Sequence, residues 1–343
     1  MGFRYKAQTL AGCLLLLAPL WKATVWAQPR KPSVTVNVLG SWQSITTQGQ
    51  PVAREEAGFI AADGRFFLIG GRGELPVDIY DPKTGVWSKG AAPPLEIHHF
   101  QPVALDGRIF IVQSMTGSYP REKPVPYVLI YDPAKDQWTK GAEVPAERRR
   151  GASGVVVRNG KIYAVAGIVD GHWGGFVSWF DEFDPRTSRW RKLPDAPRPR
   201  DHFHAAVIGD KLYAAGGRTS SGATKQVFDL TVGPVDVFDF RSGKWSTLVQ
   251  DLPTPRAGAM NAIAGKRLLV IGGESMAQPQ AHAEVEAYDT VTGQWEELPP
   301  LVQGRHGTGA IVYGGKIFVV AGSGGRGGSP VLSTLEAAPL RTE

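Results

Sequence analysis

Few residues of this chain have the types and spacing to do chemistry, and most of them recur at fixed places. Arg54, Arg150, Arg200, Arg256 and Arg305 stand at one distance before a glycine-bearing turn, with Ile97 in the remaining equivalent place. Two residues further on stand Glu56, His99, Ala152, His202, Gly258 and Gly307. A second group follows glycine pairs: Arg72 after Gly70-Gly71, Arg218 after Gly216-Gly217 and Glu274 after Gly272-Gly273. Asp170, His172 and Trp173 share one loop, and Ser323 and Arg326 share another. Guanidinium groups pair with carboxylates, imidazoles titrate near neutrality, and an indole offers a stacking face. Together these residue types suit the capture of an anionic or sugar ligand.

Other chemistry is poorly represented. His202 and His204 lie two apart on an expected strand and so share a face, but no third ligand has telling spacing, and no metal or cofactor is expected. Gly322 to Gly327 has the letters G-x-G-x-x-G after a strand. A dinucleotide site would need a helix next, and Ser-Pro and a strand follow instead. There is no G-x-S-x-G elbow, and Cys13 is the only cysteine.

The elements that must position these residues are written in the tryptophans. Trp42, Trp87, Trp138, Trp190, Trp245 and Trp295 are spaced by 45, 51, 52, 55 and 50 residues. A period near 50 signals a repeat architecture. Five of these tryptophans follow an aromatic residue by seven positions, as in Tyr80-Asp-Pro-Lys-Thr-Gly-Val-Trp87 and Phe238-Asp-Phe-Arg-Ser-Gly-Lys-Trp245. Each segment reads as strand, tight turn, strand, with Asp capping the turn. Upstream of each lies an apolar strand ending in small residues, such as Phe66–Gly71 and Leu268–Gly273, usually entered through Asp-Gly or Asn-Gly. Four strands per repeat follow, and no sustained helical period appears beyond the N-terminus.

The glycine pair, the Tyr or Phe and the Trp resemble the kelch repeat, in which each repeat is one blade of a β-propeller. The resemblance covers nearly all of residues 34–340 and implies an all-β, six-bladed kelch β-propeller. Blades two, three and six carry weaker pairs, Gln113-Ser114, Ala166-Gly167 and Ala321-Gly322. The sixth repeat stops before its tryptophan strand, and Trp42 has no aromatic residue before it. The N-terminal strand is therefore expected to complete the last blade and remove two open edges.

By the same resemblance, the arginine positions are expected to brace neighbouring blades, and the positions two residues on to face one mouth of the channel. Kelch domains that capture acidic peptides use arginines there and just after the glycine pair, which Arg72 and Arg218 match. Candidate ligand contacts are Glu56, Arg72, His99, His172, Trp173, His202, Arg218 and Arg326. Copper radical oxidases of galactose oxidase type also use this fold but need a cysteine crosslinked to tyrosine, which the chain after its leader lacks. Secreted propellers of this size are also similar to the N-acetylneuraminate epimerase (sialic acid mutarotase) family, whose site pairs a Gly-Glu loop with an arginine six residues on. Gly273-Glu274 matches the first half and Gln280 stands at the second. That resemblance implies Glu274 as base, a channel histidine as acid, and Arg218 or Arg326 reaching in from another blade.

Residues 1–27 read as a secretory signal peptide: Arg4 and Lys6, an apolar run Leu10–Leu20, and Val25-Trp26-Ala27 before Gln28. The run is too short for a membrane span. The protein is expected in the periplasm or outside the cell, with residues 28–343 as the propeller. The whole chain carries a net charge of +6. Without Arg4, Lys6 and Lys22 this falls to +3, too little for a nucleic-acid surface. The function expected is a non-catalytic module binding a protein partner, peptide or glycan at the channel mouth, with the sugar mutarotase as the alternative.

Overall fold

The computed structural model describes residues 38–341 and the first two residues. The signal-peptide reading falls outside the described residues. Six four-stranded antiparallel sheets form the blades of a β-propeller, as expected, and two single-turn 3-10 segments are the only helical elements among the described residues. None is long and apolar enough to cross a membrane.

In each of blades one to five the predicted aromatic and tryptophan face each other across the outer hairpin. Tyr80 pairs with Trp87 and Phe183 with Trp190, with ring centroids 5.0 and 4.7 Å apart. The turn between them forms for the reason the sequence suggested. The Asp81 carboxylate accepts from the Lys83 N–H at 2.8 Å, and Asp289 accepts from Val291 at 2.7 Å.

The last blade is closed by the N-terminal strand. Gln43 and Ser44 pair with Ala337 and Glu336, and the Gly40 N–H donates to Pro339 O at 2.8 Å. Trp42 is buried beside Leu39, Leu301 and Ala338. Closure leaves each blade with a neighbour on both faces. The apolar side chains accordingly divide into separate clusters between successive blades, such as Phe67, Ile97 and Leu129 between blades one and two.

The arginines brace, but within their own blade. Arg54 pairs with Asp78, Arg150 with Asp181, Arg200 with Asp236, Arg256 with Glu286 and Arg305 with Glu336, all buried. Each guanidinium also donates to the carbonyl ending the apolar strand of its blade, at Gly70, Ala166, Gly216, Gly272 or Ala321. The arginine main chain makes the link between blades. Gly217 N–H donates to Arg256 O at 2.9 Å, and Gly322 N–H in blade six reaches Arg54 O in blade one at 2.8 Å. Blade two substitutes an apolar pair: Ile97 replaces the arginine and Leu129 the acid, in one cluster. Arg148, two residues before Arg150, is buried against Asp181 as well.

The weaker small-residue pairs divide. Ala166 and Ala321 adopt the left-handed backbone of the glycines they replace, at φ 57° and 59°. Blade two leaves the pattern at Gln113-Ser114, where a short hairpin pairs Met115–Thr116 with Lys123–Pro124.

Candidate functional site

The six positions two residues after the arginine slots form a closed ring about the channel. Glu56, His99, Ala152, His202, Gly258 and Gly307 all lie in the left-handed region, at φ 51° to 68°. Their main chains are linked in a circle. His99 N–H donates to Glu56 O at 3.1 Å, Ala152 to His99 at 2.7 Å and His202 to Ala152 at 3.0 Å. Gly258 donates to His202 at 2.6 Å, Gly307 to Gly258 at 3.0 Å, and Ala57 completes the circle to Gly307 O at 3.1 Å. Glycine tolerates this backbone freely, whereas a side chain there costs energy. Blade three carries that cost with Ala152, and blades one, two and four with Glu56, His99 and His202, which line the channel.

Two cavities meet at this ring. The throat, about 30 Å³, is lined by Glu56, His99, His202 and His204 with apolar neighbours, room for a single small species. Above it a mouth cavity of about 320 Å³ is lined by Glu55, Glu56, Arg72, Tyr119, His172, Arg218, Phe228, Glu274 and His306. His172 reaches it from the turn of the long blade-three hairpin, Lys161–Asp170 with Gly174–Asp184.

Most of the expected contacts therefore converge, but two do not. The Trp173 ring is stacked under the Arg121 guanidinium at 4.0 Å and lies outside the cavity. Arg326 donates to Met276 O at 3.4 Å and sits over Phe228, also outside. Both belong to loops whose side-chain direction is set by neighbours far away in sequence. The two arginines that do arrive are already paired. Arg218 is buried against Glu274, with Ser220 on its Nε at 2.8 Å. Arg72, partly exposed, holds Glu122 at 2.8 Å and approaches Glu55 at 3.8 Å.

Glu274, the base implied by the mutarotase resemblance, is held in its ionised form. Burial would raise its pKa, but His306, Arg218 and the Gly327 N–H outweigh burial and bring it down to about 2. Glu55 is the carboxyl poised near neutrality. Burial and the adjacent Glu56 raise it to about 7, against the pull of His306 and Arg72. His306 is raised in turn: burial opposes its charge, but Glu274 and Glu56 favour it more strongly. Three carboxyl groups line the mouth, Glu55, Glu56 and Glu274, beside the guanidinium groups of Arg72 and Arg218 and the His306 imidazole, so the mouth offers acceptors as well as cations.

Sequence spacing offered His202 no metal-binding companion beyond His204. The structure supplies two others, His99 and His172, whose ligand atoms and that of His202 lie within 4.8 Å of one another; His204 is not in this group. The ring centroids of the three are 4.6 to 5.0 Å apart. Glu55, Glu122, Tyr119, Phe228 and His306 also went unpredicted. The repeat contained a signal for two of them: the slot between the arginine and the left-handed position holds Glu55, His98, Asp201 and His306 in blades one, two, four and six.

The KLHDC2/KLHL20/DRC7 Kelch-repeats domain matches residues 115–325. Kelch-like protein terF of Aspergillus terreus is 30% identical over 353 residues, covering 96% of this chain and 73% of the relative. Kelch-like protein 23 of Homo sapiens is 26% identical over 262 residues, 75% of this chain but 43% of that protein. The solved structure titled "Structure of YjhT" superposes with a TM-score of 0.71 over 84% of this chain and 96% of its own, at 17% identity, which is a likeness of fold. Repeat spacing, blade architecture and these matches agree: the chain belongs to the kelch-repeat family.

Proposed function

We propose that the protein is a recognition module that takes a sugar into the mouth cavity of its propeller. The observation that supports this most is the cavity itself, about 320 Å³, with a mixed lining. Its size is near the lower end for small-molecule sites, roughly 300–1,000 Å³, and suits a monosaccharide or chain end better than a folded peptide segment. Sugar hydroxyls both donate and accept, and this lining offers both partners: carboxylates to accept, Arg72 to donate, Tyr119 and Phe228 for the apolar ring face. The prior pairing of Arg72 and Arg218 with carboxylates speaks against a strongly acidic peptide. Secretion through residues 1–27 would place such a site among extracellular or periplasmic glycans.

Saturation-transfer NMR on the full chain with N-acetylneuraminate, uronates and neutral aldoses tests this reading. Transfer to at least one sugar, weakened in Arg72→Ala, is expected. A natively folded protein that transfers to none of them, yet captures an acidic peptide, would overturn it.

Catalysis on the bound sugar is a second reading, favoured by Glu55. A carboxyl near pKa 7 can both take and return a proton at an anomeric hydroxyl, with a typical gain of about 10²–10⁴-fold. Anomeric exchange accelerated by the wild type and lost in Glu55→Gln would establish it. The same loss in Glu274→Gln, with Glu55→Gln active, would return the role to Glu274.

A further inference from the structure

We infer that His99, His172 and His202, with Glu56, bind one divalent first-row transition-metal ion where the throat meets the mouth cavity. The argument is one of lone pairs. Gly117 O can only accept, so the His98 Nε2 that meets it at 3.0 Å carries the proton. The Nδ1 of a neutral His98 is then an acceptor, and the His99 Nδ1 at 2.6 Å must donate to it. That leaves the His99 Nε2 as a bare lone pair, buried and without a hydrogen-bond partner.

His202 repeats the logic with a different partner. Its Nδ1 faces the Asp201 carboxylate, itself fixed by the Ser220 hydroxyl at 2.7 Å and the Ser220 N–H at 2.9 Å. Its Nε2 is likewise buried and unpartnered. His172 is held through Nδ1 to Glu122 Oε1 at 2.9 Å, while its own N–H donates to Glu122 Oε2 at 3.1 Å. The Glu56 Oε2, a further acceptor, lies 3.2 Å from the His99 Nε2. The ligand atoms of the three histidines thus lie within 4.8 Å of one another, with the Glu56 carboxylate beside that of His99. Each imidazole is oriented through its other nitrogen, by a carboxylate in two cases and by His98 in the third, the outer arrangement typical of metal-ligating histidines.

A cation resolves this arrangement. Metal–imidazole bonds of about 2.0–2.1 Å require nitrogens about 3–3.4 Å apart, so the ring atoms have to draw together slightly from their present spread. Imidazole with one carboxylate suits zinc, iron, nickel or copper and not magnesium or calcium, which take oxygen ligands. The ion would form the floor of the mouth cavity, since Glu56 and His172 line that cavity and Glu56, His99 and His202 line the throat. The inference rests on the imidazole geometry and not on the sugar reading.

The test is titration of the chelator-treated full chain with cobalt(II) and zinc chlorides, with no sugar present. One equivalent of cobalt should produce visible d–d absorption, and zinc should displace it. His172→Ala lies in a hairpin turn outside the sheets and should weaken uptake at least 100-fold while circular dichroism stays native. His202→Asn should do the same. Glu122→Gln, which disturbs the carboxylate that orients His172 and also pairs with Arg72, should cost about 10–100-fold. Absence of stoichiometric uptake, or uptake unchanged in His172→Ala and His202→Asn, would overturn the assignment.

Discussion

Two rings of this propeller lie two residues apart in every repeat and behave in opposite ways. In the arginine ring, five blades repeat one solution, a buried guanidinium closed by its own blade's acid and carbonyls. Where blade two departs, Ile97 and Leu129 change together and leave no orphaned charge. The left-handed ring is uniform in backbone but not in side chain, and it keeps unpartnered nitrogens at His99 and His202. Repetition marks what the fold needs. Residues that are costly where they stand and unsatisfied by the fold mark what is left for a ligand.

The comparison yields four stability predictions, from the largest effect down. Removing residues 38–46 takes away the closing strand, exposes the edge of Leu335–Pro339 and uncovers the cluster that Trp42 packs on. The expected product is aggregated protein on size-exclusion chromatography, and a soluble monomer with native melting would show that closure is dispensable.

Next is the arginine ring itself. Arg256→Ala should cost about 3–5 kcal/mol in chemical denaturation by leaving Glu286 buried and unpaired. The double variant Arg256→Ile, Glu286→Leu copies blade two and should cost clearly less than the sum of its single changes. Additivity would separate blade two from the other five.

Acid should weaken the pairing of Glu274 with Arg218 at the mouth. The folded-state pKa of Glu274, about 2, lies below its unfolded value, so its contribution is present above about pH 4.5 and lost as pH falls towards 2. The total is on the order of 3 kcal/mol. Glu274→Gln should flatten the acid limb of the urea midpoint between pH 5 and pH 2.5. An unchanged limb would mean that Arg218 does not depend on this partner.

Smallest is the strain in the left-handed ring. His202→Gly should be about 1 kcal/mol more stable than His202→Ala by thermal melting, because only glycine is at ease at φ 54°. Equal stabilities would mean that the ring carries no strain.

Much of the scaffold was legible because its signals are local. Tyr80 and Trp87 are seven residues apart and meet across one turn, and Asp81 caps that turn from within it. Closure by Trp42 was legible as arithmetic, one strand missing at one end and one surplus at the other. The candidate site was legible as a set of slots but not as a set of contacts. Glu56, His99 and His202 could be placed on the channel because each occupies the same position of a repeat, one that the kelch resemblance assigns to the mouth. Trp173 and Arg326 could not be placed, because Arg121 and Met276 decide their directions from other loops.

The sequence determined the number of blades, the turn chemistry and the repeated slots, and through the kelch resemblance it assigned the bracing arginines and the positions that look into the channel. These depend on spacing within one repeat, where a few covalent links limit the outcome. The tertiary structure alone decided that His99, His172 and His202 share one point, and which nitrogen of each faces it. Ring closure carries residues of three blades to a common axis, and the tautomer of each imidazole is set by partners such as Glu122 and Asp201 that only the closed ring positions.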